Sequence, residues 1–195
     1  MPATCKRCRR WPATHNARVR TVTGLVFDLP HAPWMGDVMR LRAAHEPMRL
    51  GFPIEVTVAG SSGLGWFSPS IAHEELVRKV RAVAKTFSPF AFRFGGVDCF
   101  PGSNVYYLKP VEDEPFRAFQ ARLAATDLSF EPTPYRYVPH CTIAEAPRGS
   151  AASVRDELAR CPVPDHDIQV ASVSFYTMDR EAQRCYQHER IGLGA

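Results

Sequence analysis

The chain has 195 residues, 45% of them hydrophobic, 11% aromatic and 23% charged, which is the profile of a folded globular protein able to bury roughly 70% of its unfolded surface. Six of its 24 Lys and Arg (Lys6, Arg7, Arg9, Arg10, Arg18 and Arg20) fall in the first 20 positions, which hold no acid; the rest carries 18 basic and 20 acidic side chains. That near-neutral body gives no reason to expect nucleic-acid binding through an overall field, and no stretch supplies the about 20 mainly apolar residues of a membrane helix.

Residues 1–20 read as a basic tail without the apolar core of a secretory signal; Pro2, Pro12 and scarce serine also disfavour an organelle transit peptide. Within it, Cys5-Lys-Arg-Cys8 has zinc-ligand spacing, but no second pair completes a tetrahedron. With Cys99, Cys141, Cys161 and Cys185 scattered elsewhere, the simplest reading is reduced thiols in a cytoplasmic protein.

From Thr21 to Asp28 the residues are β-rich and stop before Pro30, predicting a strand. Trp34, Val38 and Leu41 have helical spacing, so Trp34–Ala44 is predicted helical. A short strand follows at Ile54–Val58, then a glycine-rich loop at 60–65. Ser68-Pro69 suggests a cap and first-turn proline for a helix whose apolar stripe is Leu76, Val80, Val83 and Phe87. Phe90–Phe100 and Asn104–Lys109 are expected as a hairpin joined at Pro101-Gly102.

The order then repeats. Glu112–Ala125 is predicted helical, with Phe116, Phe119 and Leu123 inward. Tyr137–Ala144 follows as a strand, then a helix from a Ser150 cap to Arg160. Ile168–Met178 is expected as one long strand whose apolar phase slips at Ala171-Ser172, implying a bulge; Gln183–Gly192 is the last strand. Helix crossovers mixed with hairpins define an α+β protein, largely antiparallel, in two lobes.

Two segments match each other. Glu55-Val56-Thr57-Val58-Ala59 and His140-Cys141-Thr142-Ile143-Ala144 share one pattern, 85 residues apart, each followed by a loop and a helix. Residues i and i+2 of a strand share a face, so Glu55 projects with Thr57 and His140 with Thr142. A pseudo-twofold relation between the halves would bring both pairs to one cleft.

This doubled motif resembles the two-histidine (2H) phosphoesterase superfamily, which includes 2′-5′ RNA ligase-like proteins and 2′,3′-cyclic nucleotide phosphodiesterases. The resemblance spans residues 21–194, with Pro139-His140-Cys141-Thr142 as a full match and Glu55 standing where the family has its first histidine. It implies a single two-lobed domain at 21–195 and no metal or other cofactor. It also implies a general acid and a general base with two threonines holding phosphoryl oxygens. On that basis His140 is expected as acid and Glu55 as a weakened base, with Thr57 and Thr142 on the phosphate.

Glu55 carries a handicap: an ionised carboxylate ~5 Å from a phosphate at an effective dielectric of ~20 repels it by about 3 kcal/mol. Burial that raises its pKa would soften this, whereas Glu145 makes the neighbourhood more acidic. Trp66, Tyr135 and Tyr137 could stack on a base or pack in core and loops; Arg136 and Arg148 could reach a phosphate or remain solvated. The expected function is a metal-independent, cytoplasmic, monomeric phosphoesterase acting on a 2′,3′-cyclic phosphate or 2′-5′ phosphodiester of a nucleotide or RNA end. The rival reading is a non-catalytic nucleotide or RNA-end binder of the same fold. A metal held between Glu55 and His140 lacks further ligands in the sequence.

Overall fold

A computed structural model describes residues 21–182 and 184–195. The basic tail, Cys5 and Cys8 lie outside the described residues, as does Gln183. Among the described residues, fourteen elements follow in chain order. The first half holds β1 (Thr21–Asp28), α1 (Met35–His45), a 3-10 turn (Pro47–Gly51), β2 (Glu55–Ala59), α2 (His73–Ala84), β3 (Phe90–Phe92) and β4 (Phe94–Cys99). The second half holds β5 (Val105–Pro110), α3 (Glu114–Ala124), β6 (Cys141–Glu145), α4 (Ala152–Ala159), β7 (Ile168–Val170), β8 (Ser172–Asp179) and β9 (Arg184–Gly192).

The protein is α+β with antiparallel sheets, in the order β2-β1-β8-β9 in one lobe and β4-β5-β6 in the other; β3 and β7 form a two-stranded ribbon. The helices are exchanged between the halves: α1 packs on β6, and α3 packs on β2. The core beneath the sheets is rich in phenylalanine. Phe27 meets Phe90, Phe116 and Phe119 edge-on with centroids 5.1–5.8 Å apart. Such rings each contribute about 2–3 kcal/mol by burial, and the edge contacts add to that. No helix among the described residues is long and apolar enough to cross a membrane.

Local differences from the sequence reading have identifiable causes. The helix expected from Pro69 starts at His73, because the Ser68 N–H is taken by the Ser129 carbonyl at 3.0 Å and its hydroxyl by Ser70. The strand expected at 90–100 divides at Arg93, since Phe90–Phe92 leaves to pair with β7. The phase slip at Ala171 is likewise a change of sheet rather than a bulge: β7 pairs with β3 and β8 with β1. His140 lies one residue before β6, on extended chain rather than in the ladder.

Candidate active site on β2 and β6

β2 begins at Glu55, opposite Asp28 of β1 in register, and Thr57 lies opposite Val26. The Thr57 hydroxyl donates to Glu55 Oε1 at 3.1 Å, so the two side chains do share a face. Glu55 Oε2 is buried and has no hydrogen-bond partner among the described residues. Burial pushes the Glu55 carboxyl up to about 7; Thr57, Arg42 and Arg49 pull it down, and Asp28 adds to the rise.

Asp28 is itself buried and heavily bonded. Its carboxylate accepts from Ser172 at 2.6 Å, from Ser174 at 2.7 Å and from Gln187, and pairs with Arg190 at 3.2 Å. Gln187 and Arg190 reach the same carboxylate although they are three apart on β9. Alternation would place them on opposite faces. Glu189, at φ 38°, is the extra residue that rephases the strand: Arg190 pairs with Ser174 and His188 with Phe175, leaving Glu189 without an opposite number. Its carboxylate is held by His73 at 3.1 Å and Arg81 at 3.5 Å on α2.

In the other lobe the His140 Nδ1–H donates to the Val138 carbonyl at 2.6 Å, which leaves Nε2 as the nitrogen that can take up a proton. Its ring stands edge-on to Phe100 at 4.9 Å and Tyr107 at 5.3 Å, which stack on each other at 4.2 Å. Burial lowers its pKa below the ordinary histidine value. Tyr107 lies opposite Thr142 in the ladder, and the Thr142 hydroxyl makes no hydrogen bond among the described residues.

Three features bring β2 and β6 together. Arg42 of α1, 1% exposed, donates through Nε to the Ile143 carbonyl at 3.0 Å and through its terminal nitrogens to Thr142 at 2.7 Å and Phe52 at 2.8 Å. It thereby ties the backbone of the second motif to the approach to the first. On the other side, the loop after β2 joins the chain before His140: Glu131 N–H donates to the Trp66 carbonyl at 2.7 Å, and Thr133 donates to Ser61 at 3.1 Å. Beneath both, the buried Cys141 thiol interacts with the Glu55 backbone and is pushed up to about 12, mainly by burial.

The remaining candidates are distributed unevenly. Tyr137 packs against the loop after β2, close enough that a Cβ at Gly63 would meet its ring at 2.9 Å. Its hydroxyl is buried without a partner among the described residues, and burial together with the nearby Glu55 charge raises its pKa. Trp66 is 8% exposed and sits edge-on to Tyr176 in a small cluster with Val22 and Val26. Tyr135 and Arg136 are exposed, and Arg148 is exposed in the turn after β6. Glu145 is exposed, with its backbone N–H on Glu46 at 2.7 Å. Among the described residues no group of three or more His, Cys, Asp or Glu is placed to hold a metal ion.

Sequence reasoning missed Asp28, Arg42, Arg49, Phe100 and Tyr107. A signal existed for Tyr107, in the hairpin register that would set a β5 aromatic beside the second motif. None existed for Arg42, whose partners are main-chain carbonyls.

Residues 56–182 match the 2′-5′ RNA ligase superfamily. The chain belongs to this family, one of phosphoesterases and ligases, and is thereby placed among enzymes of the class that the doubled motif resembles. It is also similar to a Bacillus cytotoxicus protein named as a candidate phosphoesterase, with 26% identity over 159 residues, 80% of this chain and 88% of that one. In fold it is similar to Escherichia coli LigT, solved with 3′-AMP, at 17% identity and TM-score 0.53, covering 89% of this chain and 98% of that one. It is similarly close to the TT0787 protein of Thermus thermophilus, at 15% identity and TM-score 0.56, again covering 89% and 98%.

Proposed function

We propose that the chain is a metal-independent phosphoesterase that opens a 2′,3′-cyclic phosphate, or cleaves a 2′-5′ phosphodiester, of a nucleotide or RNA end, with catalysis weakened by Glu55. Family membership supports the reaction class, and the nucleotide recorded with LigT supports the ligand class. The carrying observation is the contrast in surroundings of the two motif residues, a histidine bonded through Nδ1 and a buried carboxyl with one oxygen unbonded. His140 holds its proton on Nδ1 against Val138 and is neutral below the usual histidine range, while Glu55 is pushed up to about 7 with Oε2 unbonded.

Those states favour the opposite division of labour from the one the family resemblance suggests. His140 Nε2 takes a proton from the attacking water as its oxygen bonds to phosphorus. Glu55 Oε2–H gives its proton to the ribose oxygen as the P–O bond breaks, and solvent then returns the proton from His140 to Glu55. Thr142 is free to donate to a phosphoryl oxygen, whereas Thr57 serves Glu55, which supports the weakened rate. Tyr137 is assigned substrate binding through its unbonded hydroxyl, and Arg148 and Trp66 supporting contacts, Trp66 from its packed position beside Tyr176. The reading takes 21–195 as one two-lobed, monomeric, cytoplasmic unit, supported by the Arg42 bridge and by free Cys99, Cys141, Cys161 and Cys185.

The test is a panel of 2′,3′-cyclic nucleotides and 2′-5′-linked dinucleotides against wild type and His140→Ala. Turnover lost in the variant is expected; turnover no higher than the variant's overturns the catalytic reading. The engagement of Thr57 by Glu55 favours a second reading, a silent nucleotide-end binder. Glu55→His separates them, since a large gain in turnover is expected only where the site is built for the chemistry.

A further inference from the structure

We propose that Arg49 supplies the positive charge that Glu55 cannot, and binds the phosphate of the substrate through its two terminal nitrogens. This rests on the phosphoesterase reading above and names the group that draws the anion in. Arg49 belongs to the 3-10 turn between α1 and β2. Its Nε donates to Glu46 Oε2 at 2.6 Å, and its guanidinium lies over the Phe52 ring with Cζ 5.5 Å from the centroid. Glu46 Oε2 also accepts the backbone N–H of Glu145, so the arginine is anchored to the end of the strand that carries the second motif. Its own carbonyl accepts from Arg42 at 3.4 Å, which fixes the turn from beneath.

What is left over points to an anion. Once Nε is engaged, the terminal nitrogens donate to no protein group among the described residues, and the side chain keeps 23% of its surface. A planar fork with two parallel donors matches two phosphoryl oxygens. Its charge acts on Glu55 of β2, His140 before β6 and Cys185 of β9, so it lies within electrostatic reach of both motif residues. Arg42, the other cation whose charge acts on Glu55, is buried and wholly committed to backbone carbonyls. A carboxyl at 55 that is neutral when protonated removes repulsion but adds no attraction, and Arg49 provides the attraction.

The full chain is tested with inorganic phosphate and 2′,3′-cyclic AMP. Arg49→Gln is expected to raise the phosphate Kd about 10- to 100-fold and to raise KM more than it lowers kcat, the loss expected for a charge-assisted contact. Arg49→Lys is expected to recover most of the binding, since it restores charge without the fork. Arg49→Met, which keeps the stem over Phe52, guards against a Gln variant that fails to fold, and is expected to lose binding alike. If wild type binds phosphate and both neutral variants bind it equally well, the assignment of Arg49 is overturned and the phosphoesterase reading stands. If wild type neither binds phosphate nor turns over the cyclic nucleotide, both fall together.

Discussion

The Arg42 guanidinium reaches the Thr142 carbonyl at 2.7 Å and the Phe52 carbonyl at 2.8 Å, so one side chain from the first helix holds the backbone of the second motif and of the approach to the first. No carboxylate neutralises it within ion-pair distance among the described residues; burial lowers its pKa, and its stabilisation comes from oriented carbonyl dipoles.

Arg42→Met is therefore expected to destabilise the protein by about 3 kcal/mol or more, because it leaves several carbonyls without a donor. Urea denaturation measures this. A loss below about 1 kcal/mol would mean that water replaces the guanidinium easily.

Stability should depend on pH through Glu55. Its folded pKa, about 7, lies above the unfolded value near 4.5, so the folded state holds the extra proton. That contribution is fully present below the unfolded pKa and is lost as pH rises through about 7. Thr57, Arg42, Arg49 and Asp28 face the carboxyl and set the balance. Glu55→Gln should match wild type near pH 4 and exceed it by about 3 kcal/mol at pH 8, read from urea midpoints. Equal midpoints at pH 8 would refute a buried, raised carboxyl.

Activity should follow the same titrations. With Glu55 as acid and His140 as base, kcat/KM rises through the lowered His140 pKa and falls above about 7. Asp28→Asn removes a charge that raises Glu55, so the alkaline limb should move to lower pH. A limb that moves upward, or a rate that keeps rising beyond pH 8, would show that Glu55 does not set the alkaline limb.

Gly65→Ala tests the joint between the two motif loops. Gly65 has φ +89°, and a Cβ there would overlap the Glu131 carbonyl oxygen beside the Glu131–Trp66 hydrogen bond. The expected cost is about 2–4 kcal/mol, with displacement of the segment leading to Tyr137 and His140. Thermal denaturation within 1 °C of wild type would contradict it.

Glu189→Gly should do the reverse. The residue occupies a left-handed conformation that glycine adopts freely, and what it loses are partly exposed pairs to His73 and Arg81. A gain of about 0.5–1 kcal/mol in unfolding free energy is expected. A clear loss would show that the α2 contacts outweigh the backbone strain.

The paired motifs were readable because period-two alternation fixes which side chains project together, and the Thr57–Glu55 hydrogen bond is the direct result. Helix existence was readable from apolar spacing in Leu76, Val80 and Val83; the start of α2 was not, because the competing partner of Ser68 lies 61 positions away in sequence. Ala171 shows the limit most plainly. The phase slip is visible in the sequence, yet whether a strand bulges or crosses to another sheet depends on β3, far upstream. Arg42 and Arg49 left no trace, since carbonyl ligation and a shared field have no sequence spacing.

The exchange of α1 and α3 between the lobes bears on how this chain assembles. Each half lends the other the helix that covers its motif strand. A nick in the exposed Pro101-Gly102 turn should thus yield two pieces that remain unstructured apart and regain shape when mixed, a complementing pair rather than two autonomous modules.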